Sequence, residues 1–277
     1  MNEKGRWRHI AVAVRVVKDA TPLLDGHLAF PFKLDKPGFR YEGALSILTP
    51  ITDFFAGAYS DNLPLQNWVK VSDGDCSILW SSLDSPSACF GDLWPGYVSP
   101  AHRSVVGDAL HNKPLTAEDL QRAWIYSNLF SNNYGTNFAV TQSGDFLFRY
   151  IFTTQAGDVE DAEAVRFGWD AVTLLEAILT QANSGSLPPV NSFLEMDDPN
   201  LVLLTWKKAE DGEGWIMRLW NPADTPSTST IRMPGLQLTD VRPVNLVEEP
   251  LPGKLKLTTS TFTADIPPRG VSTYRCS

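Results

Sequence analysis

The run Asn67-Trp68-Val69-Lys70-Val71-Ser72-Asp73-Gly74-Asp75, continuing through Ile78-Leu79-Trp80-Ser81-Ser82-Leu83 to Asp84-Ser85-Pro86, sets the fold class. Trp68 heads a predicted strand, Asp73 and Asp75 fall in a turn, a second apolar segment follows, and Asp84-Ser85-Pro86 makes another turn. Short β-branched or aromatic segments divided by Gly, Pro, Asn and Asp read as strands and turns. The pattern extends in both directions. Ile10, Val12, Val14 and Val16 fall on one face of a first strand, and Phe146, Phe148, Tyr150 and Phe152 do the same within 145–152, with Arg149 on the other face. Towards the C-terminus, Leu201 to Trp206 and Trp215 to Trp220 flank the turn Glu210-Asp211-Gly212-Glu213-Gly214 as a hairpin. Gly212 and Gly214 are no dinucleotide loop, because position 217 is Met and strands lie on both sides. Twenty Pro and nineteen Gly suit a chain of many turns, and the predicted class is all-β.

Two helices are expected against this background. Thr116, Glu118 and Asp119 before Leu120, Ala123 and Trp124 give an N-cap residue, early acids and an apolar stripe, predicting a short helix over 117–126. A second runs from Val159 towards Gln181, with Gly168 as its weak point. Residues 183–189, Asn-Ser-Gly-Ser-Leu-Pro-Pro, have linker composition and divide a domain over 1–184 from one over 190–277.

Composition narrows the function classes. With 43% hydrophobic residues and nine Trp, 277 residues bury a substantial core. A formal charge of −9 argues against a nucleic-acid or anionic-membrane partner, whose surfaces attract clustered Lys and Arg, and suits uncharged sugars. Cys76, Cys89 and Cys276 form no Cys-x-x-Cys pair and read as buried, inert thiols. No run approaches the ~18 apolar residues of a membrane span. Met1 to Val17 reads as a strand rather than a signal peptide, so a cytoplasmic location is expected.

Taken in order, His27-Leu28-Ala29-Phe30-Pro31-Phe32, Phe39-Arg40-Tyr41-Glu42-Gly43, the run from Asn67 and Ser131-Asn132-Asn133-Tyr134-Gly135-Thr136-Asn137-Phe138 resemble the C-terminal β-rich region of glycoside hydrolase family 38. These are zinc-dependent retaining α-mannosidases. The resemblance runs from about Ala20 to the C-terminus and implies a large two-sheet supersandwich, like that of galactose mutarotase, followed by a smaller β-sandwich. It also implies that the chemistry belongs to an upstream α/β barrel carrying zinc and an Asp nucleophile. That barrel's signature, His followed two residues later by Asp, is missing: the residues two beyond His9, His27, His102 and His111 are Ala11, Ala29, Ser104 and Lys113. No metal or other cofactor is therefore expected in this chain, and its expected role is to pack on the barrel and shape its cleft.

Candidate sugar contacts follow from side-chain chemistry and from the resemblance. Asn132, Asn133, Tyr134 and Asn137 offer neutral donors and acceptors for hydroxyls and a ring for the apolar face of a pyranose, although such a loop also suits a plain turn. The family likeness brings residues 55–68 near the barrel, making Tyr59 and Gln66 candidates, with Trp68 more a core residue. Asp73, Asp75 and Asp92 are expected to be solvated turn residues. The expected partners are the parent enzyme's barrel and mannosides or other sugars, and self-association is expected of a chain whose docking face is exposed. Two rival readings stay open: a free-standing carbohydrate-binding module, needing an exposed aromatic platform, and a sugar epimerase or mutarotase, needing a His and a Glu to converge from among His27, His102 and Glu42.

Overall fold

The structure, a computed structural model, describes residues 9–19, 25–54, 62–92, 115–131, 141–173, 175–181 and 185–277. The chain divides into two compact units, Met1–Leu174 and Leu175–Ser277. Strands dominate both, and among the described residues all the strand pairing is antiparallel.

The first unit contains β1 (Ile10–Lys18), β2 (Asp25–Pro31), β3 (Gly38–Gly43), β4 (Ser46–Leu48), β5 (Leu63–Pro64), β6 (Val69–Ser72), β7 (Cys76–Ser82), β8 (Ser87–Phe90), β9 (Trp124–Ser131), β10 (Gly144–Ala156) and the helix α1 (Asp161–Val172). Six strands form one sheet in the order β1-β10-β7-β6-β3-β4, and four form a second in the order β2-β9-β8-β5. The alternation in the sequence becomes register. Val12, Val14 and Val16 stand opposite Tyr150, Phe148 and Phe146, as residues of one face must.

Between the two sheets lies an aromatic core of Phe30, Phe39, Tyr41, Trp80, Phe90, Phe130, Phe148 and Tyr150, packed with Leu63, Val69, Val71 and Ile125. Trp80 and Tyr150 stack at 5.6 Å, and Phe30 meets both edge-on. Fully burying a large apolar side chain contributes about 1.5–3 kcal/mol, so these rings dominate the packing energy of the unit. Pro64 sits in the edge strand β5, where its missing N–H costs no ladder bond.

The opposite face of the six-stranded sheet is covered by α1. Val165 and Phe167 are buried beneath the helix, and Phe167 stacks on His9 at 5.7 Å. Gly168 permits the closest approach: a Cβ there would stand 2.6 Å from Trp68 Cδ1. The residue expected to weaken the helix is the one that lets it touch the sheet. Trp68 is 1% exposed beneath it, a core residue rather than part of a cleft wall.

The other predicted helix is not formed. Residues 117–122 are turns, with i to i+3 bonds from Asp119 N to Thr116 O and from Leu120 N to Ala117 O. Asp119 is 5% exposed and accepts from both the N–H and the hydroxyl of Thr116, closing a turn instead of opening a helix. Ala123 is buried and Trp124 starts β9. The helix expected from Val159 is α1, but it stops at Val172, where Thr173 is extended.

The second unit contains β11 (Glu195–Met196), β12 (Val202–Lys208), β13 (Trp215–Trp220), β14 (Ser227–Arg232), β15 (Val241–Val244), β16 (Leu257–Thr258), β17 (Thr261–Ile266) and β18 (Val271–Cys276). Two four-stranded sheets, β11-β14-β17-β16 and β12-β13-β18-β15, enclose Met217, Leu219, Ile231, Met233, Phe262, Ala264, Ile266 and Tyr274. The hairpin expected about Gly212 is β12–β13, and Gly212 and Gly214 both take positive φ there, at 84° and 79°. Among the described residues, no helix is long and apolar enough to cross a membrane.

Candidate functional site

Gln66 is the one predicted sugar contact within the described residues, and it stands exposed between β5 and β6. Its N–H donates to the carbonyl of Glu42 at 2.8 Å, while Glu42 N–H donates to the carbonyl of Trp68 at 3.1 Å. The main chain on both sides of Gln66 is thus tied to β3. Tyr59, Asn132, Asn133, Tyr134 and Asn137 lie outside the described residues, as does His102.

Beside Gln66, polar side chains are buried against α1. Glu42 is 1% exposed and accepts from Trp169 Nε1 at 3.0 Å, a contact between positions 127 residues apart. With its amide oriented so that nitrogen meets an acceptor and oxygen a donor, Asn67, 7% exposed, donates to the Gln66 carbonyl at 3.2 Å and accepts from the same indole at 3.3 Å. Desolvation pushes the Glu42 carboxyl up to about 7, against the opposing hydrogen bonds from Trp169 and Asn67. Farther along the same sheet face, Asp161 takes two bonds from Arg40, at 3.0 and 2.6 Å, and lies 3.3 Å from Lys70. Lys70, 5% exposed, donates to the Val159 carbonyl at 2.6 Å and lies 3.4 Å from Asp158. These contacts fasten the first turn of α1 to β3 and β6.

A second polar group lies on the outer face of the four-stranded sheet. Cys89 Sγ is 3.2 Å from Asn62 Oδ1 and 3.7 Å from His27 Nε2, and Asn128 Nδ2 donates to the same Asn62 oxygen at 3.2 Å. Asn62 directly follows the segment holding Tyr59, and Asn128 lies three residues before the start of the 131–138 motif. Sequence reasoning missed this group, because its members come from β2, β8, β9 and the residue before β5 and share no local spacing.

The remaining candidates resolve individually. Asp73 accepts from the backbone N–H groups of Asp35, Asp75 and Cys76, which hold its carboxyl below the usual range, as expected for a turn residue. Asp84 pairs with Arg149, and Asp92 lies 3.2 Å from Arg122. No disulfide joins the three cysteines; Cys89 and Cys276 are buried and Cys76 partly so. His27 and Glu42 do not converge. Tyr41, Leu28 and Phe30 face the shared core, so alternation puts Glu42 on the helix side of one sheet and His27 on the far side of the other. Among the described residues, no group of three or more His, Cys, Asp or Glu is arranged to hold a metal ion.

Comparison with known proteins agrees with the fold. Residues 200–274 match the glycosyl hydrolases family 38 C-terminal beta sandwich domain. An α-mannosidase from Enterococcus faecalis V583 shares the fold with a TM-score of 0.68 at 12% identity, covering 97% of this chain and 27% of that one. A second structure, of a protein in glycosyl hydrolase family 38 from Enterococcus faecalis, has a TM-score of 0.68 at 13% identity, covering 97% of this chain and 28% of that one. No curated protein matches. The chain thus spans little more than a quarter of the solved structures that it matches. The all-β class and the resemblance to family 38 are both borne out.

Proposed function

With residues 200–274 a family 38 C-terminal β-sandwich, we propose that this chain is the non-catalytic β-rich region of an α-mannosidase-like glycoside hydrolase. It packs on a catalytic barrel and lends Gln66, Tyr59 and the Asn132–Asn137 loop to one wall of the sugar cleft. The observation that carries this reading is an apolar run left open to solvent. Leu175, Ile178 and Leu179 are 100, 83 and 101% exposed, and Leu187, Val190 and Phe193 are exposed as well. Large apolar side chains left in water are commonly covered by another protein body.

On this reading the zinc and the Asp nucleophile belong to the barrel, and the described residues offer no group of three or more His, Cys, Asp or Glu arranged to hold a metal ion. No step of the hydrolysis is therefore assigned to this chain, and its part is to bind, orient and shield. Incubated alone with an aryl α-mannoside and zinc, in a preparation free of host mannosidase, the chain should give no turnover. Hydrolysis abolished by a chelator and restored by zinc would overturn the assignment.

One observation favours a second reading, a carbohydrate-binding module. Trp206 and Trp215 lie 6.2 Å apart at the β12–β13 hairpin, tilted by 34°, and Trp215 is 42% exposed. An open indole can lie against the apolar face of a pyranose. Quenching of tryptophan fluorescence by mannosides, lost in Trp215→Ala, would favour this reading over the scaffold.

A further inference from the structure

We propose that Glu42, Trp169 and Asn67 form a proton-operated clasp that holds α1 against the sheet and sets the main chain under Gln66. The claim for Gln66 rests on the function proposed above, whereas the clasp is a property of the chain alone. Its parts come from three places: Glu42 from β3, Trp169 from α1 and Asn67 from the approach to β6. One indole N–H is shared between the Glu42 carboxyl at 3.0 Å and the Asn67 amide oxygen at 3.3 Å. The same two residues bond the main chain of Gln66, Glu42 through its carbonyl and Asn67 through its amide. A change at the carboxyl is thereby felt on both sides of the exposed candidate side chain.

The charged groups of the surrounding elements leave the carboxyl without a cation. On the same sheet face, β3 offers Arg40 and β6 offers Lys70, but Arg40 is paired with Asp161, and Lys70 with Asp161 and Asp158. Along α1 the charged residues are Asp161, Glu163, Arg166 and Asp170, of which Arg166 and Asp170 are exposed. Tyr41, the neighbour of Glu42 on β3, faces the core, where burial raises its own pKa. Among the described residues, no cation lies within ion-pair distance of Glu42.

Neutral donors are a weak answer to a carboxylate removed from water. Burial accordingly holds the proton on Glu42 up to about pH 7. Below that point the clasp is an uncharged network. Above it, a buried anion rests only on the shared indole N–H and the N–H groups of Asn67, and relief comes from water entering beside Trp169 as α1 loosens.

The test follows the Trp169 indole N–H by heteronuclear NMR in the full chain from pH 5 to 9, with the resonance assigned through Trp169→Phe. The expected result is a titration centred near pH 7 that is absent in Glu42→Gln. An indole shift that does not titrate in the unmodified chain, or that titrates equally in Glu42→Gln, would overturn the proposal. If Glu42→Gln does not fold, Trp169→Phe supplies a second reading. Losing the donor should move the titration, followed on the Asn67 side-chain amide, to higher pH by about one unit, and an unmoved or lowered midpoint counts against the clasp.

Discussion

Replacing Gly168 with Ala tests how α1 is seated. The new methyl carbon would stand 2.6 Å from Trp68 Cδ1 and 2.9 Å from its Cβ. Trp68 is 1% exposed and cannot swing aside, so the helix must shift outward. Overpacking costs about 1–3 kcal/mol, and against a ring that cannot move the upper part of that range, about 2–3 kcal/mol, applies. Ala is a better helix former than Gly by about 1 kcal/mol, which offsets part of the cost. The net expectation is a destabilisation of about 1–2 kcal/mol, lowering the thermal midpoint of the first unit by roughly 2–8 °C for a body of this size. Near-ultraviolet circular dichroism during a thermal scan reads this directly. Gly185→Ala is the control, because no atom lies within 4 Å of the Cβ position there. A Gly168→Ala protein as stable as the unmodified chain would show that α1 does not rest on Trp68, and the description of the Glu42 corner would fail with it.

Other outcomes follow from the same contacts. The folded Glu42 carboxyl titrates near 7 instead of its ordinary 4.5, so its share of stability is complete below about pH 4.5 and is lost as pH rises through 7, an effect of about 3 kcal/mol. Urea unfolding across that window should show the decline in the unmodified chain and a flatter profile in Glu42→Gln; equal slopes would contradict the assignment. Gln66 is exposed, and its side chain carries none of the contacts that anchor its main chain, so Gln66→Ala should leave the thermal midpoint nearly unchanged while lowering activity in an assembled enzyme. Asn133→Ala and Tyr134→Ala carry the same expectation for the 131–138 loop, and a marked fall in midpoint with activity per folded molecule intact would make that loop a structural turn.

The parts of the fold legible in the sequence are those governed by neighbours in the chain. Period-two alternation in 10–16 and 146–152 carries over into the β1–β10 register, and Asp73 and Gly212 make the turns that their chemistry favours. The helix expected over 117–126 failed because Asp119 spends its side chain closing a turn on Thr116, while its carbonyl accepts the N–H of Asp92 at 2.7 Å. Helical spacing continues past Val172 through Leu175, Ile178 and Leu179, yet these residues are exposed and have no core to reward a helix. The Glu42–Trp169 contact and the His27, Asn62, Cys89 and Asn128 group stayed invisible because sheet order, not spacing, brings them together. Glu42 entered the reading only as a partner for a His, and the structure gives it an indole instead.

The central claim, that this region completes an α-mannosidase-like enzyme by packing on its barrel, is tested most directly by reconstitution. The separately expressed, folded barrel of its own parent is titrated with this chain while hydrolysis of an aryl α-mannoside is followed. Saturable gain of activity at a one-to-one ratio, weakened by Leu175→Ser and Leu179→Ser together, is the predicted result; a folded barrel whose activity and sedimentation ignore the chain would contradict it.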